Sequence, residues 1–107
     1  MEFLNKVELQ GIVGAVREIQ VESQKVFRFS VATDYAYRNP EGAVVETTWH
    51  NVVAYQPLGE SWDWLVKGAM VWVSGRLRTT RFMRSDGSEA YSNEIVAKSI
   101  KPVATEE

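Results

Sequence analysis

No cysteine occurs among the 107 residues, which excludes disulfide frameworks, thiolate metal sites and cysteine nucleophiles together. There is one histidine, His50, too few for a histidine metal cage. No Gly-rich phosphate loop, His-Glu-x-x-His or nucleophile elbow is present, so no enzyme, metal or cofactor is expected. Asp86, Glu89 and Glu94 are the remaining candidates for a metal-dependent nuclease, and acids on a turn or strand ordinarily just solvate a sheet. No apolar run approaches the ~18 residues of a membrane span, and Met-Glu-Phe-Leu-Asn-Lys does not resemble a signal peptide; a cytoplasmic protein is expected.

What is there is an ordinary globular mixture, 45% hydrophobic and 24% charged, sized for a single domain over residues 1–101 with a short frayed end at 102–107. Twelve Lys and Arg against fourteen Asp and Glu give a net charge of −2, which by itself speaks against a polyanion binder. The distribution says otherwise. From Lys67 to Arg84 the chain carries Lys67, Arg76, Arg78, Arg81 and Arg84 and no acid, a local basic stripe.

Hydrophobic periodicity reads as all-β. Asn5 to Val21 alternates loosely, with Gly11 and Gly14 where a long strand can bend or bulge. Phe27, Phe29 and Val31 alternate with Arg28 and Ser30 in a half-buried strand over Val26 to Thr33. Tyr35 and Tyr37 are placed in a loop ahead of the turn residues Asn39-Pro40-Glu41-Gly42. Val44 to Tyr55 is a third strand, and Ser61 caps a short helix through about Val66. Met70 to Phe82 and Glu89 to Ile100 are strands joined by the turn Ser85-Asp86-Gly87-Ser88, and the first two strands meet through Val16 to Lys25. Five strands with one short helix between the third and fourth is the element order of the OB-fold, a five-stranded Greek-key barrel.

A single-strand nucleic-acid binder needs cations along the phosphates and aromatic faces for unstacked bases. Trp49 and Tyr55, six apart on one strand, share a face, and Phe82 shares its face with Arg76 and Arg78, with Arg81 and Arg84 close by. Aromatics interleaved with arginines do not make a core, because the arginines would be buried with them. Phe27, Phe29 and Trp64 are assigned to the core, and Trp62 and Leu65 to a plug at one barrel end. Trp72 shares its face with Ser74 and Arg76 and lies outside the barrel, as a subunit contact or a base platform; His50 suits a packed or interface position.

Asn5-Lys6-Val7 with Gly11 and Gly14, Val31-Ala32-Thr33, Thr48-Trp49-His50-x-Val52-Val53, and Leu65-Val66-Lys67-Gly68 followed by Gly75-x-Leu77-Arg78-Thr79 occur in order over nearly the whole chain. Together they resemble the bacterial single-stranded-DNA-binding proteins. The resemblance implies an OB-fold, usually a homotetramer, that coats single-stranded DNA with little sequence preference in replication, recombination and repair, in the nucleoid. It implies base stacking on Tyr37, Trp49, Tyr55 and Phe82, phosphate contacts at Lys6, Lys67, Arg78 and Arg81, and oligomer contacts around Trp49-His50 and Trp72. Arg76 and Arg84 join the phosphate set through the basic stripe. Familiar members continue into a linker and an acidic tail that recruits replication and repair proteins. Only Glu106 and Glu107 are acidic at the end of this sequence. Recruitment through such a tail is expected to be absent or supplied by another protein. The alternative is a tail-less primosome-type accessory subunit that acts mainly through protein partners, and a third reading is a purely structural oligomer.

Overall fold

The computed structural model describes Glu2–Ala104; the acidic pair Glu106-Glu107 and the rest of the end from residue 105 lie outside the described residues. Five strands follow in order, β1 (Val7–Val21), β2 (Gln24–Asn39), β3 (Gly42–Tyr55), β4 (Met70–Met83) and β5 (Glu89–Pro102). They close into a barrel in the order β1-β2-β3-β5-β4, with β4 returning to β1. All pairings are antiparallel except a short parallel contact between β3 and β5, Val52 with Ile95 and Val53 with Val96. This is the expected OB-fold barrel.

The interior is filled by one face of each strand. Val13, Phe27, Phe29, Val31, Val52, Val71, Val73 and Ile95 are buried together, as their alternation with polar residues requires. Trp62 and Leu65 close one end, Trp62 meeting Phe27 with ring centroids 5.4 Å apart, and Trp64 packs against the cluster half-buried.

Three features depart from the sequence expectation. No helix occurs among the described residues: Ser61 to Val66 is a chain of tight turns. The Leu65 amide donates to the Trp62 carbonyl (3.0 Å) and the Val66 amide to Trp64 (3.0 Å), so no helical ladder starts. The physical reason is tethering at both sides. Trp62 and Leu65 are committed to the barrel end, and just beyond them Gly68 N–H donates to the Val13 carbonyl while Val13 N–H donates to Ala69 (both 2.8 Å). Second, Tyr35 and Tyr37 lie on β2, which pairs with β3 without interruption to Asn39↔Gly42, so the loop shrinks to the two-residue turn Pro40-Glu41. Third, Pro102 ends β5 and the Val103 amide donates to the Met70 carbonyl (3.0 Å), so the ordered barrel runs past residue 101.

The first connection is likewise short: β1 and β2 form a ribbon from Val16↔Phe29 to Val21↔Gln24, turned by Glu22-Ser23 with Glu22 at φ 56°. Beyond Ala32↔Trp49 the β2–β3 hairpin continues as a two-stranded arm, and the β4–β5 hairpin does so beyond Leu77↔Ile95. These arms account for a radius of gyration of 16.3 Å, against about 13 Å for a compact domain of this length.

Two irregularities shape the barrel wall. One extra residue on β1 between Val13 and Val16, at the Gly14-Ala15 step, bulges the strand where it turns from β4 toward β2. A second extra residue, Lys98 on β5, falls between the pairs Gly75↔Ala97 and Ser74↔Ser99. Gly75 sits there so close to β5 that a Cβ would meet the Val96 carbonyl oxygen at 2.1 Å.

Candidate nucleic-acid interface

Strand pairing relates the faces of different strands, which alternation along one strand cannot do. Opposite partners point to the same side, so Arg28, Ser30 and Ala32 of β2 share the outer face with Val53, Asn51 and Trp49 of β3. Val53 adjoins Val96 in the parallel contact, and β5 carries Val96, Glu94 and Ser92 on that same face beside Arg76, Arg78 and Thr80 of β4. Phe82 follows at the end of the row, opposite Ala90.

On this face Trp49 is 58% exposed, Tyr55 45% and Phe82 49%, although each is large and apolar enough to be core. Trp49 is held by a glycine. Its ring lies across β2 onto β1, so a Cβ at Gly14 would stand 2.6 Å from Trp49 Cζ3 and 2.5 Å from Ser30 Oγ. The turn at Lys67-Gly68, tied to Val13, brings exposed Lys67 to the same corner.

Between the aromatics lies a buried acid. Glu94 is 7% exposed and receives Arg28 Nη1 at Oε2 (2.9 Å) and Arg78 Nε at Oε1 (3.0 Å), with Arg78 Nη2 on Oε1 as well. Burial pushes the Glu94 carboxyl up, but hydrogen bonds from Arg78 and Arg28 more than offset it and hold it below the usual glutamate range. Arg78 is raised in return, chiefly by its hydrogen bond to Glu94, with desolvation opposing and Tyr55 adding to the rise. A carboxyl depressed in this way stabilises the fold fully above its unfolded value, near 4.5, and the contribution is lost as pH falls through the lower folded value. Glu94→Gln is therefore expected to flatten the loss of stability below about pH 4.5, read by urea denaturation at a series of acid pH values. An unchanged acid slope would show that Glu94 does not titrate this way.

The expected phosphate contacts divide. Arg76, on the outer face, joins Lys6 and the bulged Lys98 around a cleft of about 580 Å³ that also includes Asn5, whose amide bonds both backbone groups of Leu77. Arg78 is committed to Glu94. Arg81, opposite Tyr91, lies on the other side of the β4–β5 arm and approaches Glu89 at 3.9 Å. Arg84 is exposed at the turn, where its amide donates to the Ser88 carbonyl (2.8 Å). Asp86 in that turn accepts from the Ser88 hydroxyl and amide, which hold its carboxyl below the usual range. Asp86, Glu89 and Glu94 thus each have separate partners within the fold.

Tyr37 pairs with Val44 and, by the unbroken β2–β3 register, lies on the face of the arm opposite Trp49. Its hydroxyl donates to Glu46 (3.1 Å), and its ring stands 6.2 Å from Tyr35. His50 turns away from Trp49 as well, half-buried, its Nε2 2.8 Å from Thr33 Oγ1. Trp72 lies outside the barrel as expected, where its Nε1 donates to Glu8 (3.1 Å) and Lys101 covers its ring at 5.4 Å.

Arg28, Asn51, Glu94 and Lys98 belong to the face or its border and were not among the residues expected there from the sequence. The alternation of Arg28 with Phe27 and Phe29 was a usable signal for the first. For Glu94 and Lys98 there was none, because their setting depends on which strand lies beside β5.

Comparison with known proteins agrees with this arrangement. Residues 4–103 match the model of the single-strand binding protein family. A single-stranded DNA-binding protein of Neisseria meningitidis serogroup A is 36% identical over 102 residues, which are 92% of this chain and 59% of that protein. Single-stranded DNA-binding protein 1 of Xylella fastidiosa is 32% identical over 106 residues, 94% of this chain and 78% of the relative. The chain thus spans about three fifths of the length of the Neisseria relative. Among solved structures, a Plasmodium falciparum single-strand binding protein in complex with single-stranded DNA superposes with a TM-score of 0.85 at 25% identity, covering 97% of this chain and 98% of that one. A Thermus aquaticus single-stranded DNA-binding protein shares the fold, with a TM-score of 0.78 at 23% identity over 94% of this chain and 51% of that one. With nearly its whole length matched, the chain belongs to the single-strand binding protein family.

Proposed function

We propose that this chain binds single-stranded DNA with little sequence preference, coating strands exposed in replication, recombination and repair. The observation that carries the reading is the shared outer face. Trp49, Tyr55 and Phe82 are half-exposed beside Arg28, Arg76 and Arg78, with Lys6, Lys67 and Lys98 at its borders. Every base has a π-face to stack on such rings, each stack contributing roughly 1–3 kcal/mol, while cations hold phosphates whatever the sequence. Family membership and the names of the relatives support the same function. Tyr37 contributes from the far side of the β2–β3 arm, to a strand that wraps the arm. Arg81 and Arg84 do so at the β4–β5 turn. Assembly into a homotetramer, with His50 and Trp72 near its contacts, would join several faces and raise affinity through effective concentration.

Fluorescence anisotropy of a labelled oligo-dT strand at rising salt tests the reading. Saturable binding is expected, its log K falling with log salt at about −0.7 per phosphate neutralised. Absence of binding at low salt, or binding indifferent to salt, would overturn it.

A further inference from the structure

The outer face contains a polar pocket of about 290 Å³ beside Trp49, to which Arg28, Ser30, Asn51, Ser92 and Glu94 contribute. Its hydrogen-bonding capacity is uneven. Both Glu94 oxygens are taken by arginines, so the acid offers little to an incoming group. Arg28 spends only Nη1 on Glu94; its side chain is 50% exposed, and Nε and Nη2 have no partner among the described residues. Asn51 is exposed and its amide is likewise unbonded among the described residues. Asn51 stands two residues from Trp49 on the same face, and Ser30 touches the place where the Trp49 ring crosses to Gly14. A base stacked on Trp49 therefore has this pocket along one edge.

We propose that the pocket reads that edge and favours bases with a carbonyl there, O4 of thymine or uracil and O6 of guanine. This rests on the single-stranded DNA reading and adds a weak base preference to it. Guanidinium nitrogens only donate, so they complement a carbonyl oxygen and oppose the amino group that cytosine carries at the corresponding position. Glu94 is the positioning residue: by holding Nη1 it fixes the Arg28 plane and leaves the other N–H groups for the ligand.

Oligo-dU and oligo-dC of equal length separate the pocket from everything else, since both are pyrimidine strands with the same phosphates and no methyl group. The wild-type protein is expected to bind oligo-dU about fivefold more tightly, the low end for one well-oriented pair. Arg28→Lys keeps the charge and loses the planar fork, and Asn51→Ala removes the amide with little risk to the fold. Arg28→Lys is expected to bring the ratio toward one by costing more affinity for oligo-dU than for oligo-dC, and Asn51→Ala to narrow it less, because the Asn51 amide also offers an acceptor. A wild-type ratio near one, or a preference that survives both substitutions, would overturn the base-edge site. Wild-type protein that binds neither strand would instead sink the single-stranded DNA reading beneath it.

Discussion

Adding a single methyl group at Gly14 is expected to weaken oligo-dT binding nearly as much as removing the Trp49 ring itself. The new Cβ would stand 2.6 Å from Trp49 Cζ3 and 2.5 Å from Ser30 Oγ, distances that real side chains do not tolerate. Both obstacles are ends of side chains, so the cheapest relief is to swing the indole and the hydroxyl aside. The backbone at Gly14 is not in the left-handed region, and Ala fits it without strain. Gly14→Ala should thus leave the melting temperature close to wild type and cost up to roughly 1–3 kcal/mol of DNA binding, the range for one lost stack. Trp49→Ala should match it, and the two together should lose little more than either alone, because both remove one platform. Additive losses would mean that Gly14 acts on DNA by some other route.

The second large effect concerns folding. Replacing Arg28 and Arg78 together by Ala leaves the Glu94 carboxylate buried with no partner. Breaking such an arrangement from one side is expected to cost about 3 kcal/mol at neutral pH, toward the lower end because truncation lets water in. The deficit should shrink as pH falls and the carboxyl takes up a proton. Adding Glu94→Leu to the pair should recover most of the loss, since apolar replacement of a buried ionic group is commonly neutral or stabilising. Urea denaturation of the double and triple variants decides the matter. A double variant within about 1 kcal/mol of wild type would show the network to behave like an ordinary surface ion pair.

This network marks the boundary of what one strand at a time reveals. The strands and the inward sets Phe27-Phe29-Val31 and Val71-Val73 followed from alternation, and the turns at Pro40-Glu41 and Ser85–Ser88 from their turn residues, all properties of a short stretch of chain alone. The basic stripe from Lys67 to Arg84 looked free of acids because the acids sit across the ladder, Glu94 opposite Arg78 and Glu89 near Arg81. Trp49 and Tyr55 were correctly placed together because they share a strand. Tyr37 reaches its face only through the β2–β3 register, and that register sends it to the other side. The expected helix failed for a related reason. Ser61 to Val66 has acceptable capping chemistry, but its Trp62 and Leu65 are claimed by the barrel end, and the backbone just beyond it, at Gly68 and Ala69, is tied to Val13 of β1.

Coating of single-stranded DNA as proposed requires the open indole of Trp49 on the outer face to meet the bases. Tryptophan fluorescence during oligo-dT titration tests it, comparing wild type with Trp49→Phe. Trp62 is buried, Trp64 packs half-buried against the core and Trp72 lies half-buried outside the barrel beneath Lys101, whereas Trp49 is 58% exposed. Quenching is expected to be strong in the wild type and largely lost in Trp49→Phe, while the phenyl ring keeps most of the affinity. Equal quenching in both proteins would place the bases elsewhere and contradict the account.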